Sequence, residues 1–353
     1  MKVKITEVAL AAGVSSATVS KVLSGRTGYT VHADTAERVR QAALTLGYVP
    51  DVAARNLRTG RTGLLGVVLE AVGSSEPDSL LGSVTAGSAV RRTFDGAIMA
   101  GLNAAARELE VPALVVYPGG GQSPLSYLGG RVDGLLVSCD PLRGHGLLEA
   151  LQGAPLPVVA LWTENVPPGM SAVDVDHQAG GALATRHLLD LGHRRIVFYG
   201  GGEASGVEHF RRREFGYRQA MLAAGLPVQR AIHEGALLID AVRAGHVSAV
   251  FAETDLAAAA VAQALAHAGL SVPGDVSLVG FDDILGAEYI AGGLTTIYHP
   301  AAEMAADGVH ALMRRLTGGL PERSLLAPHL IVRRSTGRLS RATAKSGREA
   351  EGV

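Results

Sequence analysis

The stretch GVSSATVSKVL, Gly13 to Leu23, decides how the first part of this chain folds. Gly13 can adopt the positive φ that ends a helix, and Ser15 offers a side-chain oxygen to cap the next one. From about Ser16 to Leu23, Val19, Val22 and Leu23 recur at i, i+3 and i+4 and must face a core. Ser16, Ala17, Ser20 and Lys21 are thereby turned outward. Upstream, KITEVALAAGV places Ile5, Val8, Ala9 and Ala12 on one helical face, with Thr6 and Glu7 near the first turn. Downstream, about Asp34 to Leu46 reads as a third helix covered by Val39, Ala43 and Leu46 and ended by Gly47. Two helices joined by a tight turn, the second short and outwardly polar, form a helix-turn-helix. The module is expected over residues 1–48.

Such a module is a small part of a chain of 353 residues, which is long enough for more than one core. Apolar residues at 47% and charged residues at 18% suit a large globular interior. Charge is unevenly spread. Residues 1–61 carry nine Lys/Arg against four Asp/Glu, a net of +5, while the remainder carries 23 against 29, a net of -6. A basic head on an acidic body fits a nucleic-acid-binding module joined to a separate domain. Cys139 is the only cysteine, so an intramolecular disulfide is excluded, as is a thiol-rich metal site. No apolar run is long enough to span a bilayer, and the N-terminus lacks a secretory pattern. The cytoplasm is the expected location.

After Thr62, the runs GLLGVVL, VPALVVY, VDGLLVSC, LPVVALW, RIVFYGG, SAVFAE and VSLVGFD alternate with Ala-rich helical stretches at 95–110, 178–191, 213–225 and 255–269. Buried parallel strands with crossover helices read this way. In such sheets ligands bind beyond the carboxyl ends of the strands. That singles out Trp162 after LPVVAL, Asp176 in VDVDH, Arg213 in FRRREFGY, Asp255 after SAVFAET, and Asp282 after VSLVGF. A carboxylate, a guanidinium and an aromatic plate can hold a polyhydroxylated or purine-like molecule. Asp255 is expected to cap the following helix, which makes Thr254 the better ligand candidate. Trp162 and Phe94 fit either a pocket wall or the core.

Catalytic signatures are missing. In YGGGEASG, 199–206, Ser205 stands where a dinucleotide fingerprint requires its third glycine. No phosphate-binding G-x-x-x-x-G-K-[ST], H-E-x-x-H or G-x-S-x-G string occurs. The rings of His187 and His193 fall on different sides of a helix. No catalysis and no cofactor are expected.

KITEVALAAGVSSATVSKVLSG (4–25) and ERVRQAALTLGYVPDVAARNLRTGRTGLLGVV (37–68) resemble the lactose/galactose repressor family of bacterial transcription regulators. The likeness continues in order through RVDGLLV (131–137), HLLDLGHRRIVFYGG (187–201), VPGDVSLVGFDD (272–283) and LTTIYHP (294–300). It implies a multidomain protein: an all-α helix-turn-helix domain, a hinge over 49–61, and an α/β periplasmic-binding-protein-like body over 62–338. The body would comprise two doubly wound parallel-sheet subdomains, about 62–176 with 301–323, and about 177–299 with 324–338. Residues 339–353 are expected to form a disordered tail.

The resemblance further implies a homodimer on near-palindromic double-stranded DNA, controlled by a small effector, a carbohydrate by analogy, and most simply a repressor. Ser16, Ala17 and Lys21 would touch base edges, with Thr18 and Ser20 near the phosphates and Thr6 a further DNA-binding candidate. Lys21 and Ser16 can hydrogen-bond bases or phosphates, whereas Ala17 offers only apolar contact. In the hinge, Leu57 would wedge into the minor groove, with Ala54 as its small neighbour and Arg58 beside the groove. Arg213 and Asp282 match the family's effector-binding pair. The competing reading is a sugar-binding protein of the cytoplasm or the cell exterior with no role on DNA, which leaves the basic N-terminal module unexplained.

Four departures from the family pattern stand out. The loop Ser24–Thr30 is about two residues longer than usual. His32 stands where a serine commonly caps the third helix, so Asp34 is expected to start that helix later. Residues 71–92 form an added Gly/Ser-rich stretch, expected as a loop at the cleft mouth. YPGGGQSPLSYLGGRVDG is shorter than the usual connection between strands.

Overall fold

The computed structural model describes residues 3–23, 31–49, 60–69, 86–117, 123–139 and 146–339. The chain divides into two compact units, Met1–Gly63 and Leu64–Val353. The first unit contains α1 (Ile5–Ala12), α2 (Ser16–Leu23) and α3 (Ala33–Leu46). Gly13 takes φ 67° and closes α1, with the Val14 amide returning to the Ala9 carbonyl. Gly47 does the same for α3 at φ 64°. Ser15 Oγ accepts from the Thr18 amide at 3.2 Å, the side-chain cap expected for α2.

Val8, Val19 and Val39 are fully buried and knit the three helices together, with Ala9, Ala12 and Ala43 filling in. Two details differ from expectation. Leu46 is exposed, because the reversal at Gly47 brings Tyr48 back over the end of the core in its place. α3 also begins at Ala33, not later. The His32 carbonyl accepts from the Thr35 and Ala36 amides, so the helix starts with no side-chain cap, and Asp34 lies in its first turn.

The second unit runs β1 (Leu65–Leu69), α4 (Ala86–Glu108), β2 (Ala113–Val116), α5 (Leu125–Leu128), β3 (Gly134–Ser138), α6 (Gly146–Ala150), β4 (Val158–Leu161) and β5 (Ser171–Val175). It continues with α7 (His177–Asp190), β6 (Ile196–Tyr199), α8 (Glu208–Ala223), α9 (Gly235–Arg243), β7 (Ala249–Ala252), α10 (Asp255–His267), β8 (Ser277–Asp282) and β9 (Thr295–Tyr298). Last come α11 (Ala301–Leu316), β10 (Arg323–Leu326) and β11 (His329–Ile331). Two sheets result, in the orders β10-β5-β4-β3-β1-β2 and β11-β9-β8-β7-β6. β1, β3, β4, β7 and β8 are buried along their whole length, which is why they read as unbroken apolar runs.

All pairings are parallel except β11 with β9, so the second sheet carries one antiparallel edge strand. The chain passes between the sheets three times: after β5, after β9 and after β10. The third passage lies beyond Leu326, later than the expected boundary at 323/324, because β10 pairs in parallel with β5 and so belongs to the first sheet. α4 begins at Ala86, so part of the stretch expected as a loop is helical; residues 70–85 lie outside the described residues. So do 340–353, nearly all of the expected tail.

Candidate functional sites

In the first unit, burial of Val19 leaves Ala17 and Lys21 exposed on α2, with Ser16, Thr18 and Ser20 half-buried and Thr6 exposed on α1. Thr18 Oγ1 lies 3.0 Å from Ser15 Oγ, so its hydroxyl also serves the cap. Small side chains on a solvent-facing helix allow its backbone to approach a groove closely. Ala54, Leu57 and Arg58 lie outside the described residues.

In the second unit, α7 and α8 pack closely enough to bring Arg213 beneath the first turn of α7. Glycine makes this possible. A Cβ at Gly181 would collide with the Arg213 backbone carbonyl, and one at Gly216 with that of Gln178. Arg213, 3% exposed, donates from Nη2 to Asp282 Oδ1 at 3.0 Å, from Nη1 to the Glu253 carbonyl, and from Nε to His177 Nδ1 at 3.3 Å. Its guanidinium carbon lies 3.6 Å from the centroid of the Phe281 ring. Asp282 closes β8 with φ 118°, a conformation L side chains rarely adopt. Burial pushes its carboxyl up to about 6, against the pull of Arg213.

From the first sheet, Trp162 follows β4, also with a positive φ of 72°. Its ring stacks on His299 at 4.5 Å and 17°, and Phe94 stands edge-on at 4.8 Å. His299 follows β9, so the stack joins the carboxyl ends of both sheets. His177 and His209 extend the cluster, their rings 5.3 Å apart. Burial first, then the Arg213 charge, holds His177 and His209 well below the usual imidazole range; burial does the same for His299, with His177 next.

Four of the six candidate effector residues, Phe94, Trp162, Arg213 and Asp282, are therefore linked through His177 and His299. The other two are helix caps: Asp176 Oδ1 accepts from the Ala179 amide at 2.8 Å, and Thr254 Oγ1 from the Ala257 amide at 3.1 Å. Asp255, expected as the cap, is fully buried and accepts from the Thr296 hydroxyl and the Ile284 amide at 2.9 Å. Thr254 takes the extended backbone that a cap needs, which turns the next side chain into the sheet. His177, His209, His299 and Glu253 carry no signal in the sequence beyond their place at strand and helix ends. His187 and His193, by contrast, hydrogen-bond Thr336 and Ser248 away from this cluster.

Ligand atoms of Asp174, His177 and His299 all lie within 4.8 Å of one another. A metal ligand usually donates its second ring nitrogen to an acceptor. Here Arg213 Nε donates to His177 Nδ1, which puts the ring proton on Nε2, 3.5 Å from Asp174 Oδ1. His177 therefore lies between the Arg213 guanidinium, which donates to it, and the Asp174 carboxylate 3.5 Å away.

Residues 4–51 match the lacI family of bacterial regulatory proteins, and residues 185–336 match a periplasmic binding protein-like domain. The HTH-type transcriptional regulator CelR of Thermobifida fusca is 34% identical over 351 residues, covering 93% of this chain and 96% of that protein. The chain belongs to the lacI family. A solved CelR–cellobiose complex superposes with a TM-score of 0.63 at 30% identity, over 95% of this chain and 100% of that one. The lac repressor dimer bound to operator and an anti-inducer has a TM-score of 0.71 at 23% identity, over 96% and 100% of the two chains, a likeness of fold. As a lacI-family member this protein is a DNA-binding transcriptional regulator, with α2 as the second helix of its helix-turn-helix. No helix among the described residues is long and apolar enough to cross a membrane.

Proposed function

We propose that the protein is a homodimeric repressor whose affinity for a near-palindromic operator is set by a small neutral sugar or sugar-like effector in the body. Two-fold symmetry in the protein calls for matching half-sites in the DNA. Lys21, Ser16 and Ala17 face the bases, with Thr18 and Ser20 near phosphates and Thr6 a further DNA contact. Leu57, flanked by Ala54 and Arg58, is the minor-groove wedge. The observation that carries the effector site is the buried Arg213–Asp282 pair, set at a strand end and linked through His177 and His299 to the Trp162 stack. Cellobiose in the CelR complex supports a sugar as the ligand class. Trp162 and Asp282 come from different sheets, so a ligand between them changes the closure of the body. By favouring one of two states of different operator affinity, the ligand controls transcription.

The 34% identity to the transcriptional regulator CelR over nearly the whole chain supports a regulator of the cytoplasm in preference to a sugar-metabolising enzyme. A gel shift with DNA from upstream of the protein's own gene, with and without candidate sugars, tests the proposal. Sequence-selective binding that a sugar alters is expected; no selective binding under either condition refutes it. A sugar-binding protein without a DNA role would give that second result.

A further inference from the structure

We propose that Glu164 and Arg212 form an electrostatic latch that holds the two halves of the body together beside α8, outside the effector cluster. The latch goes beyond the effector reading: it concerns how the halves close, whatever ligand enters between them.

The halves are the parts built on the first and the second sheet, joined by the crossovers after β5, β9 and β10. Glu164 belongs to the first half, on the turn that leads from β4 toward β5. That turn has little freedom, since Thr163 and Val166 on either side of it are buried and Thr163 Oγ1 accepts from the Asn165 amide at 3.0 Å. Arg212 belongs to the second half, in α8. Successive helix positions lie about 100° apart, so three neighbouring arginines point in different directions. Arg213 turns inward to Asp282, Arg211 stays on the surface with Glu208 at 2.6 Å, and Arg212 reaches across to the carboxylate of Glu164.

Two features make this contact more than a surface encounter. Arg212 Nε donates to Glu208 Oε1 at 2.9 Å, one turn earlier in the helix, which orients the guanidinium and leaves Nη1 for Glu164. The pair is also partly withdrawn from water: the Glu164 and Arg212 side chains are 20% and 31% exposed, and Glu164 Oε1 is shielded from solvent. Such a pair acts more strongly than an exposed one, and removing one partner strands the charge of the other. A stranded Glu164 regains its water by parting the halves, so the pair favours the closed arrangement over an open one. Arg314–Glu322 and Arg333–Asp283, by contrast, each stay within one half. The latch thereby biases the resting balance between the two arrangements and sets what any ligand must supply to shift it.

The test needs neither operator nor effector, so its failure leaves the regulator reading untouched. Trp162 is the only tryptophan and stands two residues before Glu164, its ring stacked on His299 of the other half. Parting the halves separates those rings and admits acrylamide, so the quenchable fraction of tryptophan fluorescence reports the open population of the full chain. Glu164→Gln and Arg212→Gln should each raise that fraction about two- to fivefold, the range of a partly exposed ion pair. The double variant should be no more accessible than Arg212→Gln alone, because it strands no charge. Arg218→Gln, on the same helix but paired with Glu214 inside the second half at 3.9 Å, should match the wild type. Unchanged accessibility in both single variants overturns the proposal. So do effects that simply multiply in the double variant, or an equal rise in Arg218→Gln. If Arg212→Gln folds poorly, Glu164→Gln decides alone, since it leaves Arg212 bonded to Glu208.

Discussion

Gly181→Ala perturbs the close contact that positions Arg213. The new Cβ falls well inside 3.0 Å of the Arg213 carbonyl, which is backbone and cannot rotate away. α7 and α8 must then separate by about 1 Å, a displacement of the overpacking kind that costs about 1–3 kcal/mol. The same movement carries the guanidinium away from β8, stretching the 3.0 Å bond to Asp282 toward about 4 Å, beyond hydrogen-bond range. A charge-assisted bond contributes about 1.5–3 kcal/mol, so a total loss of about 2.5–6 kcal/mol is expected. Trp162 is the only tryptophan in the chain and stands in the ring stack, so urea unfolding followed by its fluorescence reports on this body. Gly96→Ala in α4 is the control. That position has open space around it, and the change should stabilise by about 0.5–1 kcal/mol. If Gly181→Ala unfolds at the wild-type urea midpoint, the packing account of Arg213 is wrong.

Ser15→Ala removes the cap of α2 and should destabilise the first unit by about 1 kcal/mol, whereas Ser15→Asp should come close to wild type; helical melting by circular dichroism separates the two. Leu57→Ala should weaken operator binding more than binding to random DNA, and equal losses on both would remove the wedge assignment. Stability should also depend on pH in a direction set by buried groups. Burial raises Asp174 to about 7 and Asp255 to about 8 in the folded protein, so their contribution is present at low pH and lost as pH rises through 7 and 8. Buried His177, His209 and His299 oppose this below the usual imidazole value of 6.5, where the unfolded chain takes up their protons. Urea midpoints should therefore fall between pH 6.5 and 8.5, and the fall should be shallower in Asp174→Asn. A rise over that interval contradicts the assignment.

Much of the architecture was legible in the residues themselves. Gly13, Ser15 and the Val19–Val22–Leu23 spacing define α2, because caps and helical periodicity are set within one or two turns of chain. β1, β3, β4, β7 and β8 showed as apolar runs because burial on both faces removes the alternation that solvent would impose. Asp282 could be singled out at a strand end, whereas Arg213, which lies within α8, was matched through the family resemblance. The exchange of roles between Thr254 and Asp255 could not be read, since one residue of helix phase separates a cap from a sheet contact. Nor could the place of β10 in the first sheet or the antiparallel edge formed by β11. The site shows the same division most clearly. The Arg213–Asp282 bond spans 69 positions, and the imidazole–indole stack takes one ring from each sheet. Local sequence determines which segments become helix or strand, through backbone sterics and near-neighbour contacts. Which polar groups end up buried together, and which are left without a partner, is decided only when the crossovers bring distant strand ends into one volume.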